Sequence, residues 1–280
     1  MVRHIIPETL KEALAYLYNG SFHIMAGGTD LMIQKRSSAG TPPKFAKDVL
    51  YIANLKELDH IVVTEDEVII GAATKLEDIA SNEHVPGVLR DVIKDIGGPG
   101  IRHEGTLGGN IANASPASDG LVALFVLEAK VVLASADGER IVPIDNFVTG
   151  FRHIELRPNE LIKDIVIPLV PLTGHKWVKV GGRRADSISK VAFAGIYRSE
   201  GGIIKDIRFA FGSVAVTSAR NKELEKQLVN HKISDIIADL PRILEECNKI
   251  IAPIDDQRSN KNYRRKVATN IAEAFFRSLK

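Results

Sequence analysis

Two short segments built on adjacent glycines constrain this chain more than any other feature: Ala26-Gly27-Gly28-Thr29-Asp30-Leu31 and Thr106-Leu107-Gly108-Gly109-Asn110-Ile111-Ala112-Asn113-Ala114-Ser115-Pro116. Glycine has no Cβ, so consecutive glycines let several backbone N–H groups converge on one concavity. The first segment lies between an apolar run, Phe22 to Ala26, and a helix start spanning 31–37. The partial positive charge of a helix N-terminus there suits a phosphate or pyrophosphate. Thr29 adds a hydroxyl donor, and Asp30 stands at the capping position. The second segment repeats this logic, with side-chain donors on Thr106, Asn110, Asn113 and Ser115 and a following helix that carries Pro116 at its N-terminal end. Asp119 falls in that helix's first turn, where it either complements the dipole or accepts hydrogen bonds from ligand hydroxyls. Neither segment is the G-x-G-x-x-G fingerprint or a Walker A loop, and each alone also reads as a plain strand-to-helix turn. Together they suggest one elongated diphosphate ligand held from both sides.

Around these segments the chain reads as α+β. Leu10, Ala13, Leu14 and Leu17 give an amphipathic first helix behind Pro7. A strand is expected at 48–55, a hairpin at 61–70 around Glu65-Asp66, and helices at 76–81, 88–96 and 117–127. A second hairpin is expected to turn on Asp137-Gly138, followed by a strand at 161–167. Pro168, Pro171 and Gly174 mark a linker, dividing the chain into 1–171, with subdomains of about 1–55 and 56–171, and 172–280. Beyond the linker, segments 177–180, 191–198 and 203–214 read as an antiparallel meander, and the rest as helical.

Composition excludes several functions. With 37 Lys plus Arg against 35 Asp plus Glu, the balance argues against a nucleic-acid partner. No apolar run reaches the roughly 18–20 residues that span a bilayer. The opening Met1-Val2-Arg3-His4-Ile5-Ile6-Pro7 has no signal-peptide character, so a cytoplasmic location is expected. One cysteine, Cys247, permits neither a disulfide nor a four-cysteine iron–sulfur cluster within the chain, and reads as a small core residue. The eight histidines lack metal-ligand spacing, and no acid–base dyad or serine-hydrolase elbow stands out. His103 reads as a surface loop residue. Arg183-Arg184 and Arg264-Arg265 read as a solvated face or as subunit contacts.

The two glycine segments together closely resemble the FAD-binding subunit of the molybdenum hydroxylases, the medium-subunit family of xanthine and carbon monoxide dehydrogenases. The resemblance continues through Lys179-Val180-Gly181-Gly182-Arg183-Arg184, Ile188-Ser189-Lys190-Val191, Ile207-Arg208-Phe209-Ala210-Phe211-Gly212 and Pro253-Ile254-Asp255-Asp256-Gln257-Arg258 to Tyr263-Arg264-Arg265, and so covers essentially the whole chain. It implies a vanillyl-alcohol-oxidase (PCMH) type FAD-binding domain of two αβ subdomains, plus a C-terminal α+β domain with an antiparallel sheet and helices. It also implies that Met25, Ala26, Gly27, Gly28, Thr29, Asp30 and Leu31, with Thr106, Gly108, Gly109 and Asn110, hold the pyrophosphate and adjoining parts of a non-covalent FAD. Asp119 would meet ligand hydroxyls, Ile96 and Ile162 would supply apolar contacts, and Lys179 would sit close to the flavin. Thr29-Asp30 stands where the carbon monoxide enzymes carry His-Ser, which tilts the expected substrate toward purines, aldehydes or aromatic heterocycles. His103-Glu104-Gly105 departs from the Asn-Arg-Ala frequent in relatives.

The function that this resemblance implies is electron transfer. A large partner subunit would carry molybdopterin and a small one [2Fe-2S] clusters, in a heterotrimer or its dimer. This chain would pass electrons through FAD to NAD or another acceptor. The alternatives are a stand-alone flavin oxidoreductase of the same fold and a non-redox nucleotide-binding assembly module.

Overall fold

The computed structural model describes residues 2–280. The chain opens on β1 (His4–Ile5), α1 (Leu10–Asn19), β2 (Phe22–Met25), the single turn α2 (Leu31–Gln34) and β3 (Asp48–Tyr51). The Thr9 hydroxyl accepts the Glu12 amide and starts α1, whose Ala13 and Leu17 are buried beside β3 residue Leu50. The strands form a parallel sheet in the order β1-β3-β2. The helix expected to reach Ser37 stops at Gln34 because its continuation bonds to itself. Ser37 Oγ donates to the Thr41 and Pro42 carbonyls, and Thr41 Oγ1 to that of Ser38.

The next layer is a five-stranded antiparallel sheet, ordered β4-β5-β10-β6-β7. It comprises β4 (Ile61–Val63), β5 (Glu67–Gly71), β6 (Lys130–Ser135), β7 (Gly138–Pro143) and β10 (Leu161–Pro168). Five helices lie between β5 and β6: α3 (Leu76–Ser81), α4 (Gly87–Lys94), α5 (Pro99–Glu104), α6 (Leu107–Asn113) and α7 (Asp119–Val126). After β7 come α8 (Ile144–Phe147) and the small ribbon β8 (Val148–Gly150) with β9 (His153–Ile154). The 61–70 hairpin forms as expected. The second hairpin turns one residue earlier than expected. Ser135 pairs with Gly138, so Ala136-Asp137 makes the turn and Gly138, at φ +134°, begins the return strand.

The last layer is the expected meander: β11 (Gly174–Val180), β12 (Val191–Glu200), β13 (Ile203–Gly212) and the short β14 (Ala219–Arg220), paired antiparallel in that order. Four helices follow: α9 (Lys222–Leu228), α10 (Ile233–Ala238), α11 (Leu240–Ile250) and α12 (Lys261–Phe276). Strand side chains alternate between faces, and the two faces here have different tasks. Phe193, Phe209 and Phe211 join Phe275 and Phe276 of α12 in a core that also buries Cys247, whose thiol burial pushes up to about 12. The opposite face carries Ala192, Ala194, Ile196 and Ala210, which join the core beneath the five-stranded sheet. These small residues let α7, buried along its whole length, lie flat against the strands. Arg264 is a correction to the expected solvated arginine pair. Its guanidinium is buried and donates to Lys190 O (3.1 Å), Ser213 O (2.8 Å) and Asp256 Oδ1 (2.7 Å), stapling three loops. Arg183, Arg184 and Arg265 are exposed.

No helix among the described residues is long and apolar enough to cross a membrane. The seam between α7 and the meander yields a test. A Cβ on Gly212 would lie 2.6 Å from Val122 Cγ2 and 3.2 Å from the Ala192 Cβ. Gly212→Val should therefore overpack the seam, cost about 2 kcal/mol and lower Tm by several degrees. An unchanged Tm would show that the two layers are not closely packed there.

Candidate functional site

The β2 strand delivers the first glycine segment to the surface. Met25 is buried, Ala26 to Thr29 are half-buried, and Gly28 sits at φ +68°, a left-handed conformation that an L side chain resists. The left-handed residue turns successive amides in one direction. Among the described residues, the N–H groups of Gly27, Gly28, Thr29, Asp30 and Leu31 have no protein acceptor, while Gly28 O takes the Met32 amide at 2.9 Å. Backbone donors in a protein usually find partners, and a partly shielded row of five without any has the donor chemistry that an anion requires. Asp30 does not cap α2. Its carboxylate instead accepts from the Gln34 side-chain amide, which also donates to Asn113 Oδ1 at 3.0 Å.

The second segment differs from the loop expected. Leu107 to Asn113 form α6, with the Thr106 hydroxyl capping its N-terminus by accepting the Gly109 amide at 3.1 Å. The Gly108 amide donates to Ala72 O at 3.2 Å. Both glycine amides are thus used inside the protein, and the segment contributes a helix start rather than a bare loop. Pro116 lies ahead of α7, which begins at Asp119. Asn110 Oδ1 accepts from the Ser118 hydroxyl at 2.6 Å and its backbone amide donates to Thr106 O at 3.0 Å, while its side-chain N–H groups have no protein acceptor among the described residues.

The two segments meet. A Cβ on Gly27 would lie 1.7 Å from Glu104 O, and one on Gly105 would lie 3.4 Å from Thr29 Oγ1. The turn after β2 therefore rests backbone to backbone on the end of α5, beside the start of α6. Leu31 begins α2 after this turn, and β10, the central strand of the five-stranded sheet, carries a bulge between Ile162 and Asp164. There Lys163 O accepts the Ala72 amide at 2.8 Å, next to Ile162, which is 5% exposed and belongs to the core.

Asp119 and Lys179 also come together, from opposite domains. Asp119 is buried at the start of α7. Its Oδ2 lies 2.7 Å from Lys179 Nζ on β11, and its Oδ1 accepts from the buried Ser189 hydroxyl at 2.6 Å. Burial pushes the Asp119 carboxyl up, opposed by the Lys179 ammonium and the Ser189 hydroxyl. Lys179 Nζ also donates to Asp95 O at 2.6 Å, one residue before Ile96, which packs on the main core. The sequence carried no local signal for Ser189 or Asp95 as partners, since both act across long separations. His103 is exposed on α5, as expected of a surface residue.

Five amides without a partner among the described residues, the Thr29 hydroxyl and the Asn110 side-chain amide are donors of the kind that a dinucleotide diphosphate with polar extensions takes. No group of three or more His, Cys, Asp or Glu that could hold a metal ion occurs among the described residues.

Comparison with known proteins identifies the family. Residues 1–170 match the model for the FAD binding domain in molybdopterin dehydrogenase, and residues 176–279 the model for the CO dehydrogenase flavoprotein C-terminal domain. The chain is 32% identical to the glyceraldehyde dehydrogenase medium chain of Sulfolobus acidocaldarius, covering 99% of this chain and 97% of that one. It is 31% identical to the xanthine dehydrogenase FAD-binding subunit of Escherichia coli, over 91% of this chain and 88% of that one. Its fold superimposes on a chain of the carbon monoxide dehydrogenase of Hydrogenophaga pseudoflava with a TM-score of 0.87 at 27% identity, covering 98% of this chain and 95% of that one. Matched in both halves by the family's models, and end to end by relatives, the chain belongs to the FAD-binding medium subunits of the molybdenum hydroxylases.

Proposed function

We propose that this oxidoreductase subunit receives electrons from iron–sulfur clusters on a small partner subunit and delivers them to an external acceptor, the substrate being oxidised on a large molybdopterin subunit. The row of free amides at Gly27–Leu31, set against the start of α6, is the observation that carries the reading. The lone cysteine, buried in the C-terminal core, supports it too, because clusters then have to lie on another chain. Relatives named as medium chains or FAD-binding subunits point to the same division of labour. A heterotrimer or its dimer, a cytoplasmic setting, NAD or another acceptor, and a domain division near residue 172 belong to the same proposal.

Bound FAD would supply the redox chemistry, a ring system that accepts and releases electrons. The protein's part is to bind and orient. The amides of Gly27, Gly28, Thr29, Asp30 and Leu31 would take the pyrophosphate oxygens, with Thr29 Oγ1 and the Asn110 side-chain amide as further donors. Thr106 contributes indirectly, by fixing the first turn of α6 through Gly109, and Gly108 ties that turn to β5 through Ala72. An ionised carboxylate has about four acceptor sites, so Asp119 can take a ribityl hydroxyl while holding Lys179 and Ser189. Lys179 would place its ammonium beside the flavin. Met25, Ala26, Ile96 and Ile162 would form the apolar floor.

Two outcomes test this reading. A β-branched side chain at Gly27 cannot coexist with Glu104 O at its present place, so Gly27→Val should separate the two segments and weaken FAD binding more than tenfold, about 1.4 kcal/mol or more. Bound flavin per chain, read from visible absorbance after reconstitution, measures this, and full occupancy in the variant would contradict it. In the second test, the isolated FAD-loaded chain is mixed anaerobically with the substrate of its co-purifying large subunit. The flavin should stay oxidised until the large and small subunits are both added. Bleaching by substrate alone would show a self-sufficient oxidoreductase.

A further inference from the structure

Strand β11 and helix α4 meet in a register that the cofactor site does not itself require. On a strand, alternate residues advance about 6.7 Å and share a face, and four residues of helix advance about 6 Å. Side chains two apart on the one can thus match side chains four apart on the other. His175 Nε2 lies 2.9 Å from Asp91 Oδ2, and Trp177 Nε1 donates to Asp95 Oδ2 at 2.8 Å. The next residue on that face, Lys179, donates to Asp95 O and completes the series. Asp95 is the C-cap of α4, where a carboxylate faces the negative end of the helix dipole. Helix energetics therefore do not account for it. What does is its double engagement, by carboxylate to the chain's one tryptophan and by carbonyl to Lys179.

Lys179 has a long, flexible stem, and its ammonium has three donors. Asp119 and Asp95 O take two of them, and the side chain is only 9% exposed. The Asp95 carbonyl fixes the ammonium only if the peptide after α4 is itself fixed. That peptide runs into Ile96, Gly97 at φ +57° and Gly98, a stretch with two glycines and little intrinsic stiffness. The indole hydrogen bond anchors it to β11.

We propose that Asp95 and Trp177 are positioning residues for Lys179, holding its ammonium at a set place beside the flavin so that it raises the reduction potential. The proposal rests on the cofactor reading above. The ammonium is paired with the Asp119 carboxylate at 2.7 Å, so what acts on a nearby ring is the orientation of that pair: with Nζ as the nearer end, in a poorly solvated site, it stabilises the electron-rich form more than the oxidised form. An ammonium free to swing into water does so less.

The test uses the full chain reconstituted with FAD, measuring flavin midpoint potential, bound FAD per chain and Tm. Lys179→Met should lower the potential by about 30 mV, a tenfold change in the equilibrium for a two-electron couple. Trp177→Phe, which keeps every charge, should shift it the same way by part of that amount, and add nothing in the Lys179→Met background. Asp95→Asn and Asp95→Ala lose the same carboxylate charge, but only the asparagine keeps an oxygen that accepts from the indole, so the potential of Asp95→Ala should lie below that of Asp95→Asn. If Trp177→Phe lowers Tm but leaves the potential unchanged, or Asp95→Ala and Asp95→Asn have the same potential, the two residues only support the fold and the proposal fails. An unchanged potential in Lys179→Met, with one FAD still bound per chain, also overturns it while leaving the amide cradle intact. Failure of the wild-type chain to bind FAD would sink the cradle, and this proposal with it. Should Trp177→Phe not fold, the Asp95 pair decides.

Discussion

The turn after β2 lies on the end of α5 with no side chain between them, and the rest of the site is arranged around that contact. Gly27 can be there only because it lacks a Cβ: the nearest atom to one would be Glu104 O, at 1.7 Å. Once the turn is seated, Gly28 at φ +68° sends the chain into α2 with five amides unclaimed, and the Thr106-capped start of α6 stands alongside. An anion there meets backbone donors that are already oriented and cost little further ordering. Paired glycines thus have different tasks in the two segments. In the first they bring the backbone close and turn it, and in the second they fit a helix start under β5.

The meander is joined to this framework by two kinds of contact. Its small-residue face receives α7 and gives close apolar packing, while Lys179 and Ser189 reach Asp119 at the head of the same helix. Packing contributes the stability. The buried ion pair is better understood as fixing geometry, because desolvating both charges offsets most of their attraction. Asp119 therefore links the seating of the C-terminal sheet to the place where the cofactor's charged and hydroxylated parts would lie. This is a physical reason for a flavoprotein subunit to carry a second domain that supplies few of the anion-binding groups.

Much of this was legible in the sequence where local rules suffice. The first helix, the 61–70 hairpin, α3 and the three long strands of the meander follow from periodicity, and the first glycine segment from its place between a strand and a helix. The resemblance to the family rested on both glycine segments and is supported by the matched models. Other features were hidden for definite reasons. Two glycines within seven residues argue against helix by propensity, yet α6 forms, because Thr106 caps it and Leu107, Gly108 and Ile111 are buried. Arg264 looked like half of a surface pair, and only the convergence of three distant loops on one guanidinium buries it. Asp119, Lys179, Ser189 and Asp95 are joined across long stretches of chain, and no pattern within any of them announces the others.

Hydrogen–deuterium exchange with and without FAD tests the central claim most directly, because it reports on amides one segment at a time. The amides of residues 27–31 have no partner among the described residues, so bound FAD should slow their exchange strongly, whereas Gly108 and Gly109, already bonded to Ala72 O and Thr106 Oγ1, should change little. Unchanged exchange at 27–31 in chains that demonstrably carry FAD would mean that the diphosphate is held elsewhere.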